Sequence, residues 1–343
     1  MDSSHFDAAL NHWRELPVAG QCSGLLLGNG ASRAIWRDFA YDSLFERAQK
    51  VRNRPLSQTD LALFKSMGTQ SFEQVLGALN TTVRVNAALA VSASGPLNRY
   101  YAIKEALIHA MRSVHIPWRL VKETTLQQIN AELRRYSTIY TTNYDLLSHW
   151  AVWHAPDGFD DMLDVDQGFD ASAASPAAAN HRIFYLHGGL HLVKNRDGTT
   201  RRRAAAASEL LDGFAINVPG DTPLFINEGP SEEKLRSIRS SDYLSRCLHE
   251  LAQRQGPLCV FGHQLGENDA HIVRAVQSAK VGHVAVAIFP LSDAWICSQK
   301  AHYTQVLGEF ADVTFFDATT HPLGAPGLNV PVEKQGPGWR SRA

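Results

Sequence analysis

Four short clusters in this sequence carry side chains suited to anion binding and proton transfer. They are Gly28-Asn29-Gly30-Ala31-Ser32, Thr142-Asn143-Tyr144-Asp145, His187-Gly188, and Gly262-His263 followed by Asp269. The glycines of the first let a backbone approach a ligand closely, and the helical-looking segment they open favours an anion such as phosphate at its N-terminus. An amide at Asn143 can orient a water or a hydroxyl without adding charge, and Asp145 can accept from an amide NH₂. His187 titrates near neutrality and can take up a proton. Each cluster also has a plain structural use. Asn143-Tyr144-Asp145 suits an Asx-turn and helix cap, His187 a hydrogen-bonded place before Gly-Gly, and Ser32 and Asp269 helix N-caps. His187 and His191 suggest a metal pair, but the glycines between them break a helical face and no Cys or carboxylate partner is evident. No metal is expected.

Positioning these clusters requires strands that end where they begin. Apolar or β-branched runs at Gly24–Leu27, 138–142, 183–186, 257–261, 284–288 and 313–316 read as six strands, separated mainly by helical patterns. The fold expected is α/β, a Rossmann-like parallel sheet of about six strands with helices on both faces. Ligands of such sheets bind beyond the carboxyl ends of the strands, where all four clusters fall. Residues 43–135 read as helix after helix, a helical insertion following the first strand, either a lid over a cleft or an assembly surface. Phe6, Leu10, Trp13 and Leu16 have helical spacing before Pro17. Asp160–Asn180 reads as a loop, and the basic stretch Lys194–Arg203 as a solvated hairpin tip or loop around Asp197-Gly198. Residues 230–251 read as one helix with Ser231 as its N-cap. Its face of Lys234, Arg236 and Arg239 is either solvated or a surface for a partner or phosphate. Residues 1–330 are expected to form one domain, with 331–343 a flexible tail.

Composition narrows the classes. A formal net charge of −1 over 343 residues argues against nucleic-acid or anionic-membrane binding driven by overall charge. No signal peptide and no membrane-spanning run are visible. Cys22, Cys247, Cys259 and Cys297 are scattered, which fits reduced thiols in a cytoplasmic protein and not a zinc ribbon. The dehydrogenase fingerprint asks for a third glycine where Arg33 stands, and for an acidic residue at the end of a second strand, whereas Glu46 lies in a helical stretch. A nicotinamide dehydrogenase is a poor fit.

Taken in order, Gly28-x-Gly30-x-Ser32, Thr141-Thr142-Asn143-Tyr144-Asp145, His187-Gly188 and Gly262…Asp269-x-His271-Ile272 resemble the sirtuin-like superfamily, across about residues 24 to 320. The likeness is closest to bacterial sirtuin-like domains of NAD-depleting antiphage systems. The chain is also similar to an uncharacterised bacterial family sharing Gly-Asn-Gly and the Glu228-Gly229…Lys234…Ile238…Tyr243-Leu244 stretch.

The resemblance implies an NAD⁺ glycohydrolase that releases nicotinamide and ADP-ribose in defence, with NAD as substrate. Gly28–Ser32 would cradle the diphosphate, Asn143 lie by the nicotinamide ribose, Asp145 contact the carboxamide and His187 serve as base. Gly262, His263 and the loop to Asp269 would lie on the adenosine side. Thr142 stands where sirtuins have Gln, as in the NAD-hydrolysing relatives, and the four zinc cysteines of the deacylases are absent, which speaks against peptide deacylation. Control by self-assembly or by a regulatory partner protein is expected. A nucleotide sensor without turnover, an ADP-ribosyltransferase and an unusual deacylase are the rival readings.

Overall fold

The computed structural model describes residues 6–40, 43–164, 168–169, 179–195, 199–203, 210, 222–226 and 229–331. The first strand, β1 (Gly24–Leu27), is the centre of the fold. Its three leucines are almost wholly buried, as expected for a parallel strand covered on both faces. The main sheet adds β2 (Thr138–Thr141), β3 (Phe159–Asp160), β6 (His181–Tyr185), β10 (Leu258–Phe261), β11 (His283–Ile288) and β12 (Asp312–Asp317). Its order is β12-β11-β10-β1-β2-β6-β3, every neighbouring pair parallel. The α/β fold and its parallel sheet are as expected, with one more strand than the six read from sequence. Register sets the site. Leu27 aligns with Thr141 on one side and Phe261 on the other, and Thr141 aligns with Tyr185. The residues that follow these four therefore form one row along the carboxyl edge.

Helix α1 (Asn29–Ile35) leaves β1 directly. Between β1 and β2 come α2 (Leu44–Lys50), α3 (Gln58–Ser66), α4 (Phe72–Ala88), α5 (Ser94–Val114) and α6 (Glu123–Leu133), the expected helical insertion. Ser43, Ser57 and Ser71 cap three of these helices, Ser57 in a reciprocal capping box with Asp60. Phe45, Phe64 and Phe72 pack ring against ring inside the insertion. The later helices are α7 (Leu147–His154), α8 (Ser231–Arg239), α9 (Asp242–Ala252), α10 (Ala270–Ser278) and α11 (Asp293–Leu307). No helix among the described residues is long and apolar enough to cross a membrane.

Several expectations need correction. Phe6–Leu16 is not an α-helix. Asn11 bridges to Phe316 at the sheet edge, and Trp13, in a single 3-10 turn, is buried against Phe316 and His321. The apolar spacing there reflects docking onto β12. Residues 230–251 form two helices, because Ser241 accepts from the Leu244 N–H and starts α9 afresh. Within the expected loop at 160–180, β4 (Leu163–Asp164) and β5 (Gly168–Phe169) pair antiparallel. A three-stranded antiparallel sheet not read from sequence has the order β8-β7-β9, from β7 (Gly188–Lys194), β8 (Thr200–Arg202) and β9 (Thr222–Phe225). The basic hairpin expected around Asp197-Gly198 joins β7 to β8, while residues 196–198 themselves lie outside the described residues, as does the tail from 332 on.

Candidate functional site

The strand order places β1 where the chain turns from one half of the sheet to the other, between β2 and β10. A cleft of about 430 Å³ opens there. Of the twelve residues singled out from sequence, ten line it: Gly28, Asn29, Gly30, Thr142, Asn143, Asp145, His187, Gly262, His263 and Asp269. Ala31 and Ser32 are buried behind that wall.

The glycines answer first to each other. A Cβ on Gly30 would stand 2.6 Å from the Gly262 Cα, and one on Gly262, at φ +71°, 2.4 Å from the Ala31 nitrogen. The Gly30 N–H donates to the Gly262 carbonyl at 2.8 Å. These residues let the β1 and β10 turns touch, a structural use not read from sequence, while Gly28, Gly30 and Gly262 also line the cleft. Asn29 donates to the Phe39 carbonyl, and Thr142 donates through N–H and hydroxyl to Leu27, so both side chains brace the rim.

Asn143, Ser32 and Asp145 form one buried network. Asn143 Nδ2 donates to the Gly28 carbonyl and to Ser32 Oγ, both at 2.9 Å. A carbonyl can only accept, so the amide orientation is fixed and Oδ1 is the group Asn143 has left for a ligand. Ser32 Oγ donates in turn to Asp145 Oδ2 at 2.5 Å. Asp145 Oδ1 accepts from the Leu147 N–H, the Asx-turn foreseen as its structural use. Burial pushes the Asp145 carboxyl up, and Ser32 and Leu147 oppose that rise. Ser32 is therefore no helix cap; it couples Asp145 to Asn143.

On the opposite wall, His187 Nε2 lies 2.8 Å from His271 Nε2, the two nitrogens sharing one proton. His271 Nδ1 pairs with Ser231 Oγ, which also accepts from the His271 backbone N–H. Ser231 is the first residue of α8 and not its cap; its hydroxyl orients His271. Burial holds His187 well below its ordinary 6.5 and pushes His271 down to about 4, so both rings are neutral at physiological pH. His263 is likewise lowered by burial. Its Nδ1 accepts from the Leu265 N–H, which places the ring proton on Nε2 facing Asp269.

Asp269 occupies the N-cap position of α10 but makes no cap bond there. Its Oδ1 accepts from Lys234 Nζ at 2.8 Å. Burial alone would raise this carboxyl; His187, His263 and Lys234 outweigh it and hold it at about 2. The charge on the two imidazoles belongs to low pH; at physiological pH both are neutral, and Lys234 is the cation beside Asp269. The face read from α8 is thus split, with Lys234 buried at the cleft and Arg236 and Arg239 exposed.

His187, Asp269 and His271 also form a set able to hold a metal ion, their ligand atoms lying within 4.8 Å of one another. The Lys234 ammonium already balances Asp269, and the two imidazoles already satisfy each other, so the cluster is neutral and hydrogen-bonded as it stands. Ser231, Lys234 and His271 were not read as site residues. The signal available in the sequence was that Lys234 and His271 stand inside the motifs that carry the resemblances; Ser231 had none beyond its expected place as a helix cap. His191, the other half of the supposed metal pair, stacks on His149 at 4.1 Å and is not part of the cleft lining.

No curated protein matches the chain. A family model described as "Domain of unknown function (DUF4917)" matches residues 25–323 and so takes in every part of this cleft; the chain belongs to that family.

Proposed function

We propose that this protein is an NAD⁺ glycohydrolase, cleaving the nicotinamide–ribose bond and handing the ribose to water. One observation carries the reading: the free carbonyl of Asn143 and the neutral imidazole of His187 line one cleft beside the Gly30–Gly262 contact. Nicotinamide in NAD⁺ is cationic. When its bond to C1′ breaks, the electron pair goes to the ring, which leaves neutral without a general acid. A water oxygen then bonds to the electron-poor C1′, and its proton passes to a ring nitrogen of His187. Asn143 Oδ1 accepts a hydrogen bond from that water and aims it. Arg33, exposed on the cleft wall with no acid partner among the described residues, offers a cation to the diphosphate. Asp145 acts through Ser32 and Asn143 as a positioning residue, a different role from the carboxamide contact implied by the resemblance.

A role in bacterial antiphage defence, with cytoplasmic depletion of NAD⁺ held in check by self-assembly or a regulatory partner, belongs to the same proposal and rests on the sirtuin-like resemblance. Incubation with NAD⁺ in H₂¹⁸O tests the chemistry. Nicotinamide and ADP-ribose labelled at the anomeric oxygen are expected. Nicotinamide released with the ADP-ribosyl group on another acceptor would replace hydrolysis by transfer, and binding without release would leave a sensor.

A further inference from the structure

A second cleft, of about 550 Å³, lies on the far side of α8, between that helix, α4 of the insertion and the β7–β9 sheet. Three cations from three elements line it: Arg84 on α4, Lys194 at the end of β7, and Arg236 on α8. Among the described residues, Arg84 and Arg236 are exposed with no carboxylate partner, and Lys194 donates to the carbonyl and hydroxyl of Ser240 and to no carboxylate. Of the two acids there, Glu233 is tied by Gln74 Nε2 at 2.8 Å and Thr69 Oγ1 at 3.2 Å, bonds that join α8 to the start of α4. The other, Glu73, has its carboxyl pushed up by burial, against the opposing pull of Ser237 and Lys194, and its Oε2 is buried with no hydrogen-bond partner. The cleft thus combines an excess of positive charge with one polar oxygen awaiting a partner.

We propose that this cleft is an effector site for a small phosphate-bearing molecule of the nucleotide class. Two guanidiniums and an ammonium suit a phosphate monoester, since Arg offers planar paired donors and Lys a point charge. The carboxyl of Glu73 suits a hydroxyl or ring N–H on the same molecule. The coupling follows from α8. One face of this nine-residue helix carries Ser231, which orients His271, and Lys234, which holds Asp269; the other carries Glu233, Arg236 and Ser237 of the second cleft. A ligand that draws Arg236 toward Arg84 moves α8 against both clefts at once. As a means of control this rests on the proposed glycohydrolase; as a binding site it does not.

Calorimetric titration of the full chain with AMP tests it, with inorganic phosphate as a second arm and the Arg84→Glu/Arg236→Glu double variant beside the wild type. Both substituted residues are exposed, and circular dichroism verifies that the variant folds. Two AMP sites per wild-type chain, falling to one in the variant, are the expected result. One wild-type site that vanishes in the variant supports the effector cleft while counting against nucleotide binding at the first. One site indifferent to the variant, or none, overturns the proposal. Saturation by inorganic phosphate alone, with AMP no tighter, overturns the nucleotide class. For the coupling, phosphate should change the nicotinamide release rate at saturating NAD⁺ at least threefold in the wild type and leave the variant unchanged; equal responses overturn it.

Discussion

Ser32→Ala tests the network that aims Asn143. Ser32, Asn143 and Asp145 are all buried, so the substitution leaves two partners without a replacement from water. Asp145 Oδ2 and Asn143 Nδ2 are each left buried without that partner, at a cost of about 1–2 kcal/mol apiece. The expected destabilisation is about 2–4 kcal/mol. For 343 residues the unfolding entropy is about 0.7 kcal/mol/K, so the melting temperature should fall by ~3–6 °C. The functional loss should be larger than stability explains. Asn143 keeps only the Gly28 carbonyl as an anchor, and a misplacement of about 1 Å at a reacting centre costs on the order of 100-fold. Differential scanning calorimetry and nicotinamide release at a temperature well below both transitions read the two effects separately. A melting temperature within 1 °C of wild type, together with unchanged turnover, would refute the reasoning.

Three further outcomes follow from the same geometry. Because burial holds His187 below 6.5, its base form persists as pH falls; kcat should stay level through 6.5, and half-loss at that pH would show an ordinary, solvated histidine. Glu132, buried against Tyr136 and His321 with Arg135 beside it, is pushed up to about 7 from 4.5, so the folded state binds its proton more tightly and stability falls as pH rises between those values. Glu132→Gln should therefore stabilise the protein above pH 7 by up to about 3 kcal/mol and make no difference below 4.5, read by urea denaturation at both ends; a variant less stable than wild type at high pH would contradict the sign. Dialysis against EDTA should leave nicotinamide release intact, since Lys234 already balances Asp269. Loss restored by a divalent metal would show that His187, Asp269 and His271 hold an ion.

The sheet was legible because its strands are short apolar runs covered on both faces, and their carboxyl ends carry the clusters that meet in the cleft. Leu25-Leu26-Leu27 and Val284–Ile288 announce themselves by composition alone. The antiparallel sheet was not legible. Gly188-Gly189 opens β7 without a strand-like pattern; the turn toward β8 could be read at Asp197-Gly198, but the third strand, β9, is set by pairing of β7 with a segment about 30 positions further on. Trp13 misled for a related reason, since its apolar spacing fits a helix while the burial comes from Phe316 and His321, some 300 positions away. In the site, Asn143 and His187 could be picked out by residue type. The partners that define their chemistry could not. Ser32 reaches Asp145 across 113 positions and His187 reaches His271 across 84. Asp269 reads as a helix cap until Lys234, 35 positions earlier, is seen to hold it.

The most direct measurement of the central claim is nicotinamide release from NAD⁺ by the purified wild-type chain and by Asn143→Ala and His187→Ala, with NAD⁺ binding measured on the same samples. The account predicts release by the wild type, loss of at least about 100-fold in each variant, and binding retained in both. Undiminished release by either variant, or a wild-type chain that neither binds nor cleaves NAD⁺, would contradict it.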